Sequence, residues 1–353
     1  MLLASSAPAA IDHHTALAAW RVGFEAAARA GEVTTDIIVA NARVRIRIAS
    51  ASLAEVLLPA LRHLVVPNGG APALTICACD EAETGVRPAY ADALGRGAND
   101  HTFIVGERRF IAMEDNPVSS ICAYDRDEPI ALYWTNAADA VQPWKRCKPF
   151  LLLFHWWLLA CDWQPVHAAA VGGKIGGLLI GGRTGAGKST TALACVRAGW
   201  TFAGDDYVLI GTDPIPRVEP LFASARLKAD MVARMPNLAA AHAGTPTVVG
   251  REKVDLVLLG TLSQDAFGGF PARAIVLPRV RAGGRTTVRP ASPAEAMTTL
   301  MPGTLHALRG GSGAAFAKIA RFVAALPVFR VDVGSDLAEI PEVLAREFEL
   351  GLK

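Results

Sequence analysis

A glycine-rich segment limits the possible folds of this chain more than any other stretch. Residues 182–189 read GRTGAGKS and fit the pattern GxxxxGK[ST], in which a loop wraps around phosphate groups. The apolar residues 178–180 before it indicate a buried strand that enters a tight turn. Residues 188–198 after it favour a helix, which Gly199 can end in the left-handed conformation. A strand, a glycine-rich loop and a helix in this order predict an α/β fold with a P-loop nucleotide-binding core.

The residue types of this loop predict its chemistry. Glycines leave the backbone free to wrap an anion with its N–H groups pointing inward, and the following helix adds the positive end of its dipole. Lys188 would reach the β- and γ-phosphates of ATP, and the Ser189 hydroxyl would ligate Mg²⁺. The predicted nucleotide contacts are Gly182, Arg183, Thr184, Gly185, Ala186, Gly187, Lys188, Ser189 and Thr190. The alternative is a glycine-rich turn that binds no ligand.

Two adjacent carboxylates follow soon after the loop. Asp205 and Asp206 come one helix and one short apolar segment after Lys188. One carboxylate can hold a metal ion, directly or through water, and the other can accept a proton from an attacking hydroxyl group. In ordinary P-loop ATPases the acid ends a long apolar strand much farther along, whereas here the apolar residues 207–210 follow an early pair. A turn acid next to a capping residue is the alternative.

These segments together resemble one family. The phosphate loop, the helix sequence TTALACVRAG, the early Gly-Asp-Asp and the upstream residues 165–171, PVHAAAV, are similar to HPr kinase/phosphorylase proteins. Those proteins are serine kinases that share a nucleotide core with phosphoenolpyruvate carboxykinase. The resemblance is specific over residues 165–211, and it implies that His167 opens the strand before the loop, that Asp205 is the catalytic base, and that Asp206 serves the metal with Ser189. On its residues alone, His167 can equally be a core histidine bonded to the backbone.

The resemblance weakens toward the C-terminus. Residues 292–295, SPAE, start a helix, and with the final strand and helix they resemble HPr-kinase-related proteins found beside peptide-modification genes. HPr kinases are hexamers, so the resemblance also implies a homo-oligomer. The chain departs from them at residues 251–256, REKVDL, where a Glu-Ile-Arg-Gly-like signature is missing. This departure weakens the expectation that the bacterial carrier protein is the substrate and that the enzyme runs reverse phosphorolysis.

A site for phosphoryl transfer also needs cations near the leaving phosphate or the incoming substrate. Arg226, Arg251 and Lys253 are the candidates downstream of the acid pair. Each of them can equally be a solvated surface charge.

The length of 353 residues suggests two domains, or one large domain with an added module. We predict an N-terminal α+β accessory domain over residues 1–142 and a P-loop catalytic domain of HPr kinase/phosphoenolpyruvate carboxykinase type over residues 143–353. The predicted strands of the first domain cover residues 73–79, 102–105, 109–113, 121–124 and 130–135. Because few helical patterns separate them, they predict an antiparallel sheet.

Composition narrows the classes of partner. The chain is 52% hydrophobic and 19% charged, which is typical of a globular protein, and its net charge of +2 gives no reason to expect nucleic acid or an anionic membrane as a partner. The apolar residues 150–161 are too few to span a bilayer and predict a buried helix. The first residues lack the pattern of a signal peptide, so the cytoplasm is the expected location.

The sequence therefore predicts an ATP- and Mg²⁺-dependent kinase that transfers a phosphoryl group to a hydroxyl group, with serine of a protein or peptide as the expected acceptor. Two alternatives stay open. One is a kinase of a small metabolite, and the other is a nucleotide-binding switch or scaffold without turnover. No NKxD tetrapeptide follows the loop, which counts against a GTPase.

Overall fold

A computed structural model describes residues 12–93, 101–105, 108–114, 119–173, 175–228, 232, 253–258, 261–281 and 283–350. These residues divide into two compact units, one ending at Ala160 and the other beginning at Cys161. The domain boundary predicted between residues 142 and 143 lies upstream of this division. Each unit has its own sheet.

The first unit contains a sheet with helices around it. Its strands are β1 (Val33–Val39), β2 (Ala42–Ile48), β3 (Val65–Val66), β4 (Leu74–Asp80), β5 (His101–Val105), β6 (Arg109–Glu114), β7 (Ser120–Asp125) and β8 (Ile130–Thr135). Its helices are α1 (His13–Ala28), α2 (Ala51–Leu57), the 3₁₀ helix Pro59–Leu64, α3 (Glu81–Thr84), α4 (Ala89–Ala93), α5 (Pro143–Arg146) and α6 (Leu151–Leu158). Each strand predicted between residues 73 and 135 is present.

The strand directions in this unit differ from the prediction. The strand order is β3-β1-β2-β4-β8-β7-β6-β5, and β4 runs parallel to both β2 and β8. The prediction of an antiparallel sheet is therefore wrong at the centre, although the neighbours on both sides of the centre are antiparallel. The connection through α2 and the 3₁₀ helix explains the parallel pair of β2 and β4, because a helical crossover lets a later strand run in the same direction.

Aromatic side chains of α1 pack against this sheet. Trp20 and Phe24 of α1 are almost fully buried, and they belong to the same core as Cys79 of β4 and Trp134 of β8. The spacing of the buried α1 residues is that of one helix face. Near the end of this unit, α6 is buried along most of its length, as the apolar pattern predicted. Among the residues that the structure describes, no helix combines the length and the apolarity needed to cross a membrane.

The second unit contains a large sheet, a two-stranded ribbon and several helices. Its strands are β9 (Gln164–Val166), β10 (Ala169–Gly173), β11 (Gly176–Ile180), β12 (Thr201–Gly204), β13 (Val208–Gly211), β14 (Arg217–Glu219), β15 (Ser224–Lys228), β16 (Lys253–Val257), β17 (Phe270–Val280), β18 (Thr287–Ala291) and β19 (Val328–Val333). Its helices are α7 (Lys188–Arg197), the 3₁₀ helix Gln264–Ala266, α8 (Pro293–Ala307), α9 (Ser312–Ala324) and α10 (Glu339–Glu347).

The sheet of this unit aligns several strand ends. The order is β12-β10-β11-β17-β14-β13-β9, with β19 also paired to β17, while β15 and β16 form a separate ribbon. β11 is parallel to β17, and β17 is parallel to β19. Because β10 is antiparallel to both β11 and β12, β12 runs in the same direction as β11. The carboxyl ends of β11, β12, β17 and β19 therefore lie at one edge of the sheet.

Helices cover both faces of this sheet. Leu178 and Ile180 of β11 pack into the core that contains residues of α7 and α10, whereas Leu179 packs into the core that contains residues of α8 and α9. Alternate side chains of a strand point to opposite faces, so β11 contributes to both cores. The second unit is thus a mixed α/β fold, as predicted, with β11 and its following loop at its centre.

Candidate active site

The loop after β11 has an open helix start. All residues of β11 are buried, the loop spans residues 181–187, and α7 begins at Lys188. Gly185 and Gly187 have φ angles of +83° and +106°, which residues with a Cβ rarely adopt. No side chain caps the start of α7. Its first N–H groups are therefore available to an anion, and the helix dipole favours negative charge there.

Two short connections between strands bring a histidine and the acid pair to this loop. His167 joins β9 to β10, while Asp205 and Asp206 join β12 to β13. Because β9 pairs with β13 and β10 pairs with β12, the two connections lie side by side. Nε2 of His167 lies 2.9 Å from Oδ1 of Asp206, and Nζ of Lys188 lies 3.3 Å from the same Nε2. The fold thus brings together the lysine, the histidine and the acid pair singled out in the sequence.

Asp205 is an ionisable group that is buried in the protein. Its side chain is 1% exposed, and Oδ2 accepts a hydrogen bond of 3.0 Å from the main-chain N–H of Arg226. Oδ1 has no hydrogen-bond partner among the residues that the structure describes. Burial raises the pKa of this carboxyl, an effect that Lys188, the Arg226 amide and Ser189 partly oppose and that the charge of Asp206 increases.

Asp206 differs from its neighbour in both backbone and exposure. Its φ angle is +75°, in the left-handed region that Asp tolerates better than most residues with a Cβ. Its side chain is 20% exposed, and its carboxylate meets His167. The turn therefore points one carboxylate into the protein and leaves the other partly accessible.

Residues of α8 hold the histidine, and sequence reasoning missed them. The main-chain N–H of His167 donates a 3.0 Å hydrogen bond to Oγ1 of Thr304, which is fully buried. A Cβ on Gly303 would lie 3.2 Å from Cγ and 3.3 Å from Cε1 of His167, and closer still to Nδ1. The ring of Tyr207 is tilted against the imidazole, with the ring centroids 5.5 Å apart. A glycine inside a helical pattern is the signal that could have pointed to this contact.

The structure describes the side chain of only one of the three candidate cations. Arg226 lies on β15, and its guanidinium forms an ion pair with the largely buried Asp255 of β16, with Nε 3.1 Å from Oδ1. Its contact with the acid pair is made by the main chain instead. Lys253 begins β16, and its side chain lies outside the described residues, as does all of Arg251.

The donor set near the loop suits a hard cation. Ser189 and Asp206 offer hydroxyl and carboxylate oxygens, which are the ligand types that Mg²⁺ prefers, and Mg²⁺ commonly keeps several water ligands beside one or two protein groups. In the described part of the chain, no three His, Cys, Asp or Glu side chains cluster as a complete protein cage for a metal. The residues present therefore fit a cation shared with a bound phosphate better than a cation held by protein alone.

Comparisons with known proteins assign no family to this chain. No family model matches the sequence, and no curated protein matches it. A solved structure that the chain does match is the Hpr(Ser) kinase/phosphatase from Coxiella burnetii, at 13% identity and a TM-score of 0.28, over 53% of this chain and 96% of that one.

Proposed function

We propose that this protein is a kinase that transfers the γ-phosphoryl group of ATP, with Mg²⁺, to a hydroxyl group, and that the acceptor is serine of a protein or peptide. One observation carries the proposal. At a single sheet edge, the uncapped start of α7 lies beside Lys188, a histidine–aspartate pair and a buried carboxylate. Phosphoryl transfer requires these functions together, namely an anion cradle, a cation at the phosphates and an acid pair for metal and proton.

The loop and Lys188 would bind the triphosphate. The main-chain N–H groups of the loop and of the first turn of α7, together with the dipole of α7, would attract phosphate oxygens; the exception is the N–H of Ala186, which donates to the carbonyl of Arg183. Lys188 is almost buried, so its ammonium group is held near the acid pair rather than in bulk water. A cation in this position can neutralise charge that develops on the transferred phosphoryl group.

Asp205 would accept the proton of the attacking hydroxyl group. A general base works best when its pKa lies near the operating pH, and burial raises a carboxyl pKa in that direction. Oδ1 of Asp205, which has no hydrogen-bond partner among the described residues, would take the proton once the acceptor hydroxyl reaches this buried oxygen. His167 would orient Asp206 through the contact at Nε2, because the histidine itself is fixed by α8.

Ser189 and Asp206 would hold Mg²⁺. When bound, the ion would supply charge neutralisation at the phosphates. Asp206 suits this role since its carboxylate is partly accessible, whereas Asp205 is enclosed. A protein or peptide acceptor, and a homo-oligomeric assembly, follow from the resemblance of residues 165–211 to serine kinases rather than from any contact in the site.

The test is the intact mass of candidate acceptors after incubation with the protein, ATP and Mg²⁺. The acceptors should include the small proteins and precursor peptides encoded by neighbouring genes, together with small alcohols and acids. We expect a gain of one phosphate on a serine, and its loss with Lys188→Ala. Arg197→Ala is the matched control, because it removes an exposed cation at the far end of the same helix. Phosphate transfer that survives Lys188→Ala would refute the proposed site.

A further inference from the structure

An excess of positive charge lies on three strands beside the candidate phosphate loop. Four arginines form it, namely Arg279, Arg281, Arg289 and Arg330, and we call them the arginine patch. The strand register places them on one face of the sheet. Leu277 lies opposite Arg330, which lies opposite Arg289, and the other two arginines follow Leu277 at intervals of two residues. Residues opposite each other on neighbouring strands share a face, and so do residues two apart on one strand.

The arginine patch adjoins the loop on the face of the sheet that α8 covers. Leu277 packs into the core that contains residues of α8 and α9. A Cβ on Gly181, the first residue of the loop, would lie 3.1 Å from Cδ2 of Leu277. Arg279 is two residues farther along β17, a rise of about 7 Å. The loop leads into α7, which packs against the other face. The patch therefore lies on the side from which α8 supports His167, opposite the helix that would bind the phosphates of the donor.

The nearby carboxylates do not neutralise the arginine patch. Asp332 lies opposite Arg279 on β19, yet its carboxylate forms ion pairs with Arg281 and Arg289, at 3.4 and 3.2 Å. The fourth member of the patch pairs with Glu295. Among the described residues, no carboxylate pairs with Arg279, which is exposed. Four arginines thus share two carboxylates, and the surplus of two positive charges equals the net charge of the whole chain.

Two members of the patch repel each other. Arg289 of β18 and Arg330 of β19 lie directly opposite each other on antiparallel strands. Like charges in this position destabilise a sheet. Their side chains are about one half and one third exposed, so a bound anion can reach both of them. An anion between them would relieve the repulsion, and the patch therefore suits a negatively charged partner.

A peptide rich in carboxylates matches this patch best. The guanidinium group of arginine can bind a carboxylate through two parallel hydrogen bonds. The patch consists of arginines alone, without the aromatic side chains on which the bases of a nucleic acid stack. The donor would be bound from the other face of the sheet, through the start of α7. Resting on the proposed kinase function, we infer that the arginine patch binds acidic residues of the acceptor, so the acceptor is a peptide or protein with several Asp or Glu residues near its serine.

Sheet geometry gives the spacing between the serine and these acidic residues. The acid pair follows β12, and the order β12-β10-β11-β17 continues through β19 to β18. With about 4.8 Å between neighbouring strands, β17 lies about 14 Å from β12 and β18 lies about 24 Å from it. An extended peptide rises about 3.3 Å per residue, so the acidic residues should lie about four to seven positions from the serine.

The test is fluorescence anisotropy on the full chain with two labelled peptides that carry one serine. One peptide has glutamates at about four to seven positions on both sides of the serine, and the other has glutamines there. We expect the wild type to bind the glutamate peptide about tenfold more tightly, through several exposed ion pairs. Added salt should weaken this binding, because it screens exposed charges. Arg279→Gln and Arg289→Gln should each weaken it about two- to fivefold, the range of one exposed ion pair.

Arg273→Gln is the matched control, because it removes an exposed arginine near the other end of the same strand. It should leave the affinity for the glutamate peptide within about twofold of the wild type. Equal affinity for the two peptides would overturn the inference. So would unchanged binding in a variant that combines Arg279→Gln and Arg289→Gln, or tighter binding of an oligonucleotide of equal charge.

The kinase proposal and this inference fail separately. With ATP and Mg²⁺, the wild type should phosphorylate the glutamate peptide faster than the glutamine peptide. Lys188→Ala should lose this reaction and keep the affinity for the glutamate peptide. Equal rates with both peptides would overturn the inference and leave the kinase site standing. A wild type that binds the glutamate peptide and phosphorylates no acceptor would overturn the kinase proposal, and with it the role of this peptide as an acceptor.

Discussion

Nε2 of His167 lies 2.9 Å from Oδ1 of Asp206, across a separation of 39 residues, and the same nitrogen lies 3.3 Å from Nζ of Lys188. A lysine ammonium can only donate hydrogen bonds and an ionised carboxylate can only accept them. Nε2 therefore cannot satisfy both neighbours in one protonation state. With a proton on Nε2, the histidine donates to Asp206 and leaves Lys188 available to phosphate, which is the arrangement that the proposed reaction requires.

Replacing each acid by its amide should have different effects on the rate of phosphoryl transfer and on the Mg²⁺ requirement. Asp205→Asn should lower the phosphoryl-transfer rate by roughly 10²–10⁴ while ATP still binds, because the variant lacks the proposed base. Asp206→Asn should instead raise the Mg²⁺ concentration needed for half-maximal rate, because one proposed ligand oxygen loses its charge. Single-turnover rates across a Mg²⁺ titration measure both effects. The exchanged result, with the Mg²⁺ requirement shifted in Asp205→Asn and only the rate lowered in Asp206→Asn, would exchange the two roles.

The raised pKa of Asp205 predicts how stability depends on pH. The folded protein holds this proton more tightly than the unfolded chain, where the ordinary pKa is 3.8. Below about pH 3.8 this group does not affect the free energy of unfolding. The free energy of unfolding falls as pH rises from about 3.8 to the raised pKa, and it stays lowered above that pKa. Asp205→Asn removes this penalty and keeps an oxygen for the Arg226 amide. We expect the variant to be more stable than the wild type at pH 7 and to have a higher Tm.

Calorimetric scans of wild type and variant from pH 4 to 8 check this prediction. The stability difference should shrink toward the acid end of the series, because the wild-type carboxyl becomes protonated there. Asp265→Asn is the control, since Asp265 is an exposed aspartate elsewhere in the same unit. A difference of constant size at every pH would show that the gain does not come from the titration of Asp205.

The strand, the loop and the helix at the centre of the second unit were predicted because each is determined by residues that are close together in the sequence. The apolar run, the glycines and the helix-forming residues that surround the loop act within one stretch of chain. The proximity of the acid pair to the loop was expected from the family resemblance of residues 165–211 and not from a local pattern, because it depends on β12 running in the same direction as β11. Which acid would be buried was not predictable, because the main chain of Arg226, on a separate ribbon, covers Asp205.

The contacts that hold His167 lay beyond the reach of local patterns. Thr304 is 137 residues away from His167 in the chain. The two residues meet only because α8 packs on the face of the sheet, next to the connection between β9 and β10. The parallel pairs at the centre of the first sheet were missed for a similar reason. Strand patterns indicate that β2, β4 and β8 are strands, but the crossover that sets their direction depends on packing between distant segments.

Thr304 should support His167 through its hydroxyl group and not through its bulk. Thr304→Val preserves shape but leaves the buried N–H of His167 without its acceptor, at a cost of about 1–3 kcal/mol in the free energy of unfolding. Thr304→Ser retains the acceptor and should bind ATP and transfer phosphate more like the wild type. Denaturation curves combined with the rate of phosphoryl transfer test this difference. Equal behaviour of the Val and Ser variants would show that the hydrogen bond is not what positions the histidine.

Gly303 gives the sharpest test of the contact between α8 and the histidine. A methyl group at this position would overlap the imidazole of His167, so Gly303→Ala must displace either the ring or the helix. We expect a loss of stability of about 1–3 kcal/mol from overpacking and a loss of phosphoryl-transfer rate that exceeds any change in ATP affinity. Gly313→Ala in α9 is the matched control, because nothing lies within 4 Å of the added methyl group. That control should gain about 0.5–1 kcal/mol from helix propensity. If Gly303→Ala were stabilised like Gly313→Ala and kept the wild-type rate, α8 would not be the element that positions His167.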